Sequence, residues 1–208
     1  MSENLTEKDT NRIEALSDGV FGVAITLLAI ELSVPDLKHV DNKSLFLALI
    51  NNWPQYLTIL NSFAAVILMW ISHHAMFKLV RRASTPFMLA NGLLLLFVTL
   101  TIFSTKILSY YLLTPAATMA AAFYAVLCVM VCSSFCLLWH VALKDKDLLM
   151  QHIPEKVIAI QSRSYRAGVV IYILATALAF VNPWITVGIC TASWIYWMVS
   201  FKKLDVRV

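Results

Sequence analysis

All six prolines of this chain stand at the ends of long apolar runs. A proline inside a helix removes a hydrogen bond and clashes with the preceding turn. Confined to boundaries, the prolines leave each run free to be one continuous helix. Pro35 follows the first run, while Pro54, Pro86, Pro115, Pro154 and Pro183 suit a first helical position, where a missing N–H costs nothing. Thr85, Thr114 and Asn182 precede three of them as capping candidates. The runs read about 12–34, 54–79, 86–112, 115–143, 164–181 and 183–201. Each reaches the roughly 20 residues a bilayer crossing needs, the fifth only if it starts near Arg163. Two shorter helical pieces are expected near 43–52 and 155–163.

Composition agrees with a chain made for lipid. Of 208 residues, 60% are apolar and 13% charged, with a mean hydropathy of +0.77, which lies outside the range of soluble domains. The expectation is one all-α integral membrane domain, residues 1–208, with six transmembrane helices. The N-terminus is polar and runs straight into the first apolar segment, without a cleavable signal pattern. Cys128, Cys132, Cys136 and Cys190 all lie inside apolar runs, so they read as small core or lipid-facing residues rather than a disulfide framework.

Six spans put both termini on one side. With the N-terminus in the cytoplasm, 13 of the 16 lysines and arginines fall inside, and only Lys38, Lys43 and Lys106 fall outside. That bias fixes the expected orientation, with both termini cytoplasmic. The basic residues therefore report topology, and no nucleic-acid partner is implied. Trp53, Tyr56 and Trp184 fall near the outer interface and Trp139, Trp194 and Trp197 toward the inner one. No internal repeat is visible, whereas transporters built from inverted repeats usually show one. Any symmetric pore must then come from several chains.

The first apolar segment, Arg12 to Leu32, carries charges at both ends and Gly19 and Gly22 in its body. On an ideal helix Leu16, Val23, Thr26, Leu27 and Ile30 fall within about 60° of one line. This stripe reads as a pore lining or as ordinary bundle packing. Asp18 points nearly the opposite way, as a proton or ion site or as a buried knot that fixes helix orientation; its direction favours the knot. A carboxylate at membrane depth needs a partner, and Arg12, His73, His74 and Asn91 are available, with Ser17 as a further hydrogen bond. His73 and His74 diverge by about 100° on a helix, which disfavours a shared metal ion. No His-Glu-x-x-His motif is present. One or both histidines are expected to bond to the first span instead. Glu31 ends the stripe, either concentrating cations or simply solvated. Arg12 reads as a tie between helices or subunits, and Lys106 as a side chain reaching to the outer interface. There is no Thr-Val-Gly-Tyr-Gly filter, no arginine every third residue, and no nucleophile with a base at usable spacing, so the chain is not expected to be an enzyme.

Arg12-x-x-x-Leu16-Ser17-Asp18 resembles the Arg-x-x-x-Phe-Ser-Asp signature of the transmembrane protein 175 family, the potassium channels of endosomes and lysosomes with their short prokaryotic relatives. The likeness continues through Gly19 to Leu32, Trp70 to Phe77 and Asn91 to Phe97, with Leu16 replacing the usual Phe. It covers the first half of the chain well and the second half by span count. The resemblance implies a homotetramer with helix 1 lining the pore, of the single-repeat prokaryotic type and placed in the bacterial inner membrane. It assigns the constriction to Val23, Leu27 and Ile30, with Thr26 as a hydroxyl layer. It makes Arg12, Ser17, Asp18, Trp70, His73, His74 and Asn91 the scaffold of the pore helix; Glu31, by its position at the outer end of the stripe, would then stand at the outer mouth. Potassium is the permeant ion, with no cofactor and no tightly bound metal. The alternative is a proton-coupled secondary transporter using Asp18 and His73 or His74; a non-conducting assembly protein is a further one.

Overall fold

A computed structural model describes residues 3–150 and 153–205. Among them the chain forms seven α-helices: α1 (Glu3–Ile30), α2 (Asn42–Asn51), α3 (Trp53–Phe77), α4 (Thr85–Tyr111), α5 (Ala117–Lys144), α6 (Glu155–Ala179) and α7 (Pro183–Asp205). A 3-10 turn, Lys146–Leu148, follows α5. Arg207, one of the basic residues counted above, lies outside the described residues.

Boundaries differ from the expectation where local chemistry is stronger than hydropathy. α1 stops at Ile30 rather than near 34, because Val34 precedes Pro35 and is biased away from helical backbone. Ser84, not Thr85, caps α4, its hydroxyl accepting from the Phe87 N–H, and Pro86 falls inside the first turn. Asn182 does cap α7, accepting from the Trp184 N–H at 2.8 Å. The pieces expected at 155–163 and 164–181 are one helix, α6, which Pro154 starts. Nothing between Glu155 and Ala179 breaks it, since Gly168 is helical and costs only about 1 kcal/mol.

Four helical stretches are long and apolar enough to cross a membrane: Thr10–Ile30, Trp53–Phe77, Thr85–Tyr111 and Ala117–Lys144. α6 and α7 do not reach that standard over the described residues. The apolar part of α6 begins only at Ala167, beyond Arg163 and Arg166.

α5 is the hub of the bundle, packing against α4, α6 and α7. Its small residues Ala120, Ala121 and Ala125 are buried and let neighbours approach closely. α1 packs on α3 and α4 at the edge of the bundle. Of its membrane-length stretch only 22% is buried, against 61% for α5.

The two ends of the bundle are distinct. At one end the loops after α3 and α5 form a bridge between Val80 and Leu149, and Thr10 donates to the Arg81 carbonyl at 3.2 Å. This end gathers Lys78, Arg81, Arg82, Lys144, Arg163 and Arg166. At the other end Gln55 of α3 donates to the carbonyl of Glu31 at 2.6 Å, and Trp53 stacks on Trp184 with ring centroids 5.9 Å apart. Between the ends a buried polar cluster ties four helices. Asn61 and Ser62 of α3 meet the Tyr124 hydroxyl of α5 at 3.3 and 3.1 Å. Thr105 of α4 donates to Ser62 at 2.6 Å, and Thr191 of α7 donates to Asn61 at 3.4 Å. Such bonds contribute about 0.6 kcal/mol each within a membrane, so their larger effect is on helix register.

Candidate ion pathway

The site begins with the division of α1 into two faces. Thr10, Ser17, Phe21, Ala24 and Leu28 are buried. Their spacing of three, four and seven residues makes one stripe, which the helix turns toward α3 and α4. On the opposite side Leu16, Val23, Leu27 and Ile30 are exposed by 63%, 56%, 38% and 75%. Thr26 is exposed with them, and a Cβ at Gly19 or Gly22 would meet nothing within 4 Å. The residues named from sequence as a stripe therefore share one face that their own protomer leaves open. An open groove of about 510 Å³ runs beside them, with Val23, Leu27 and Glu31 on one wall and Thr99, Phe103 and Lys106 of α4 on the other.

Thr26 donates its hydroxyl proton to the Val23 carbonyl at 2.9 Å. That bond occupies the donor and leaves the oxygen lone pairs directed away from the helix. The group then acts as an acceptor only, which is what a cation requires.

A buried relay sets the rotation of α1. Ser17 donates to the Ile13 carbonyl at 2.8 Å and accepts from the Asn91 amide of α4 at 2.9 Å. The Asn91 carbonyl in turn lies 2.9 Å from Nε2 of His73 on α3. With Asn91 donating to Ser17, its oxygen must accept, so the proton of His73 sits on Nε2. The ring of His73 stacks on Phe77, with centroids 4.2 Å apart, and leans on Phe21 of α1 at 5.4 Å. Nδ1 of His73 is buried without a partner among the described residues.

Asp18 is exposed, and its partner is the Trp70 indole N–H of α3 at 2.8 Å, not Arg12, His73, His74 or Asn91. A tryptophan one turn before the histidines reaches the carboxylate because α1 and α3 pack side by side. His74 meets Glu14 of α1 instead, Nδ1 to Oε1 3.1 Å, and stacks on Trp70. The expectation that a histidine bonds to the first span is thus met through Glu14, which sequence reasoning had not paired. Arg12 is exposed and makes no ion pair among the described residues. Asp18, His73 and His74 have three separate partners and share no hydrogen bond.

At the other end of the stripe Glu31 is paired with Lys106 of α4 at 2.9 Å. Neither a free acid nor a lysine reaching alone to the interface describes this pair. The signal was present in sequence as a lone cation inside an apolar run, opposite a lone acid at a span end. Ser33 and Asn52 both donate to Gln55 Oε1, at 3.2 and 2.6 Å, so α3 holds the end of α1 as well as its middle.

The chain matches the family model for the endosomal/lysosomal potassium channel TMEM175 over residues 12–101. A potassium channel of Chamaesiphon minutus is 42% identical over 197 residues, covering 94% of this chain and 97% of that protein. The crystal structure of a lysosomal potassium-selective channel TMEM175 homolog from the same organism superposes with a TM-score of 0.84 at 41% identity, over 93% of this chain and 98% of the other. The likeness therefore extends well beyond the first half, where the motifs lie. The bovine endosomal/lysosomal proton channel TMEM175 is 44% identical over 93 residues, 42% of this chain but 19% of that longer protein. The chain belongs to the TMEM175 family, and within it to the short single-repeat prokaryotic type.

Proposed function

We propose that the protein is a potassium-permeable channel of the cell membrane, with α1, α3, α4, α5, α6 and α7 as its six spans. Four copies assemble, and their α1 helices surround a shared axis. The observation that carries this reading is the face of α1 left open by its own protomer, which holds Leu16, Val23, Thr26, Leu27 and Ile30. In a soluble protein such a face would be covered. Lipid would cover such a face as well, and the family match over residues 12–101, which includes this stripe, is what favours a shared axis. The relatives' names, potassium channels in Chamaesiphon and Streptomyces, support the same reading.

In this mechanism rings of Val23, Leu27 and Ile30 narrow the path, and a dry apolar ring blocks ions by dewetting. Opening moves α1 outward by a small shift or rotation about the Ser17–Asn91–His73 relay. Four Thr26 oxygens then replace part of the water an ion loses. Potassium holds its hydration shell more weakly than sodium, so a narrow apolar passage favours it modestly. The basic end of the bundle faces the cytoplasm together with both termini. The permeant ion is the only small partner required, and no cofactor enters the mechanism.

The test is reconstitution of purified protein in liposomes with potassium and sodium flux compared. Single-channel steps with a reversal potential favouring potassium are expected. Saturable uptake driven by a proton gradient, with no unitary steps, would replace the channel by the carrier reading.

A further inference from the structure

A second groove, about 430 Å³ in volume, opens between α5 and α6 at the basic end of the bundle. Trp139, His140 and Leu143 of α5 line one side, and Ser162 and Arg166 of α6 the other. The Trp139 indole N–H is already used, donating to Ser162 at 2.8 Å, so it serves as a wall. Arg166 is exposed and donates Nε to the Ser162 carbonyl at 3.2 Å. That bond draws the side chain back along α6 toward the basic end, as a long cation at the hydrocarbon boundary is expected to do. Its terminal amino groups have no acceptor and no carboxylate partner among the described residues. Arg163, also exposed, adds a second cation about one turn away, without an ion pair among the described residues. Beyond His140 a neighbouring groove holds Asp145 and Asp147 together with Lys144, so cation and carboxylates stand side by side there, unlike the α5–α6 groove.

The apolar surroundings distinguish this place from a simple anion site. Val170 and Ile173 follow Arg166 at i+4 and i+7 on α6, and Leu137 lies on α5 one turn before His140 toward the bundle middle. All three are exposed. A cation at the head of an exposed apolar strip, at the depth where the apolar part of α6 begins, matches the shape of a lipid: charge above and chains below.

We propose that this groove seats an anionic phospholipid, with its phosphate on Arg166 and its acyl chains along Leu137, Val170 and Ile173. The inference does not depend on which helix lines the ion path. A zwitterionic headgroup brings its own cation toward Arg163 and Arg166, so phosphatidylglycerol is preferred over phosphatidylcholine. One basic contact at a membrane surface corresponds to about a fivefold preference.

Delipidated full-length protein in neutral detergent, titrated with each lipid and read by native mass spectrometry, tests this directly. The wild type binds phosphatidylglycerol about fivefold more tightly than phosphatidylcholine. Arg166→Gln loses that preference, Arg166→Lys keeps it, and Lys106→Gln at the opposite end leaves it intact. Should the glutamine variant fail to fold, Arg166→Met, which keeps the aliphatic stem and removes the charge, takes its place, and a preference that survives it overturns the proposal in the same way. Equal binding of the two lipids by the wild type, or a preference that survives Arg166→Gln, overturns the proposal. Displacement of the lipid by millimolar inorganic phosphate also overturns it, because the site would then be one for free anions.

Discussion

Asn91 uses both ends of its amide, donating to Ser17 on α1 and accepting from His73 on α3. It is buried, as are both partners. Asn91→Leu therefore leaves the buried His73 ring without a hydrogen-bond partner and removes the donor to Ser17, at a cost of about 1–3 kcal/mol. The expected result is a lower thermal midpoint in detergent, and a Ser17→Ala, Asn91→Leu pair that loses less than the sum of the single changes. Full additivity would show that the relay does not act as a unit. On the open face, Thr26→Val removes the acceptor while keeping the shape. It should lower potassium-over-sodium permeability, and an unchanged reversal potential in mixed ions would remove Thr26 from the path. Ile30→Asn should wet the proposed constriction and raise the current. The stripe was legible because helical period alone groups its residues. The partner of Asp18 was not, because helix angles say nothing about the register between α1 and α3, and only that register brings Trp70 within reach. The same gap hid the pairing of Glu14 with His74.

At the scale of elements, close packing of α5, α6 and α7 rests on one glycine. A Cβ at Gly168 would stand 2.7 Å from the ring of Trp197 and 3.0 Å from the sulfur of Cys132. The indole is a rigid plane rather than the end of a flexible chain, so Gly168→Ala is expected to displace Trp197 and with it the packing of α7 on α6. Overpacking of this kind costs about 1–3 kcal/mol, and the variant should melt earlier than the wild type by that amount. A rise in stability, the usual result of replacing a helical glycine by alanine, would mean that Trp197 can move aside. The helices themselves were readable from the prolines and the apolar runs. Their ends were less so: hydropathy cannot tell that Ser84 rather than Thr85 makes the cap, nor that two apolar pieces separated by Arg163 and Arg166 form one rod. Gly168 gave no signal at all, since its use depends on a tryptophan 29 positions away.

For the whole molecule, the ends matter more than the middle. A single chain holds one copy of the open α1 face, so a closed ring requires copies related by symmetry. In the proposed assembly each copy brings Glu31 to the same mouth, together with the Lys106 that pairs with it at 2.9 Å. The lysine side chain is 61% exposed and the acid 21%, so the pair contributes little to stability. In that assembly its effect is on the field that an approaching cation meets. Lys106→Gln leaves a ring of uncompensated carboxylates at the mouth, which raises the local cation concentration. Unitary potassium current should therefore increase at low salt. The gain should fade as ionic strength approaches 1 M, where the screening length is about 3 Å. Glu31→Gln should cancel it at any salt concentration. A current that does not change in Lys106→Gln at about 0.01 M salt, where screening extends to about 30 Å, would place Glu31 away from the mouth. The axis would then have to lie along some face of the protein other than the open stripe of α1.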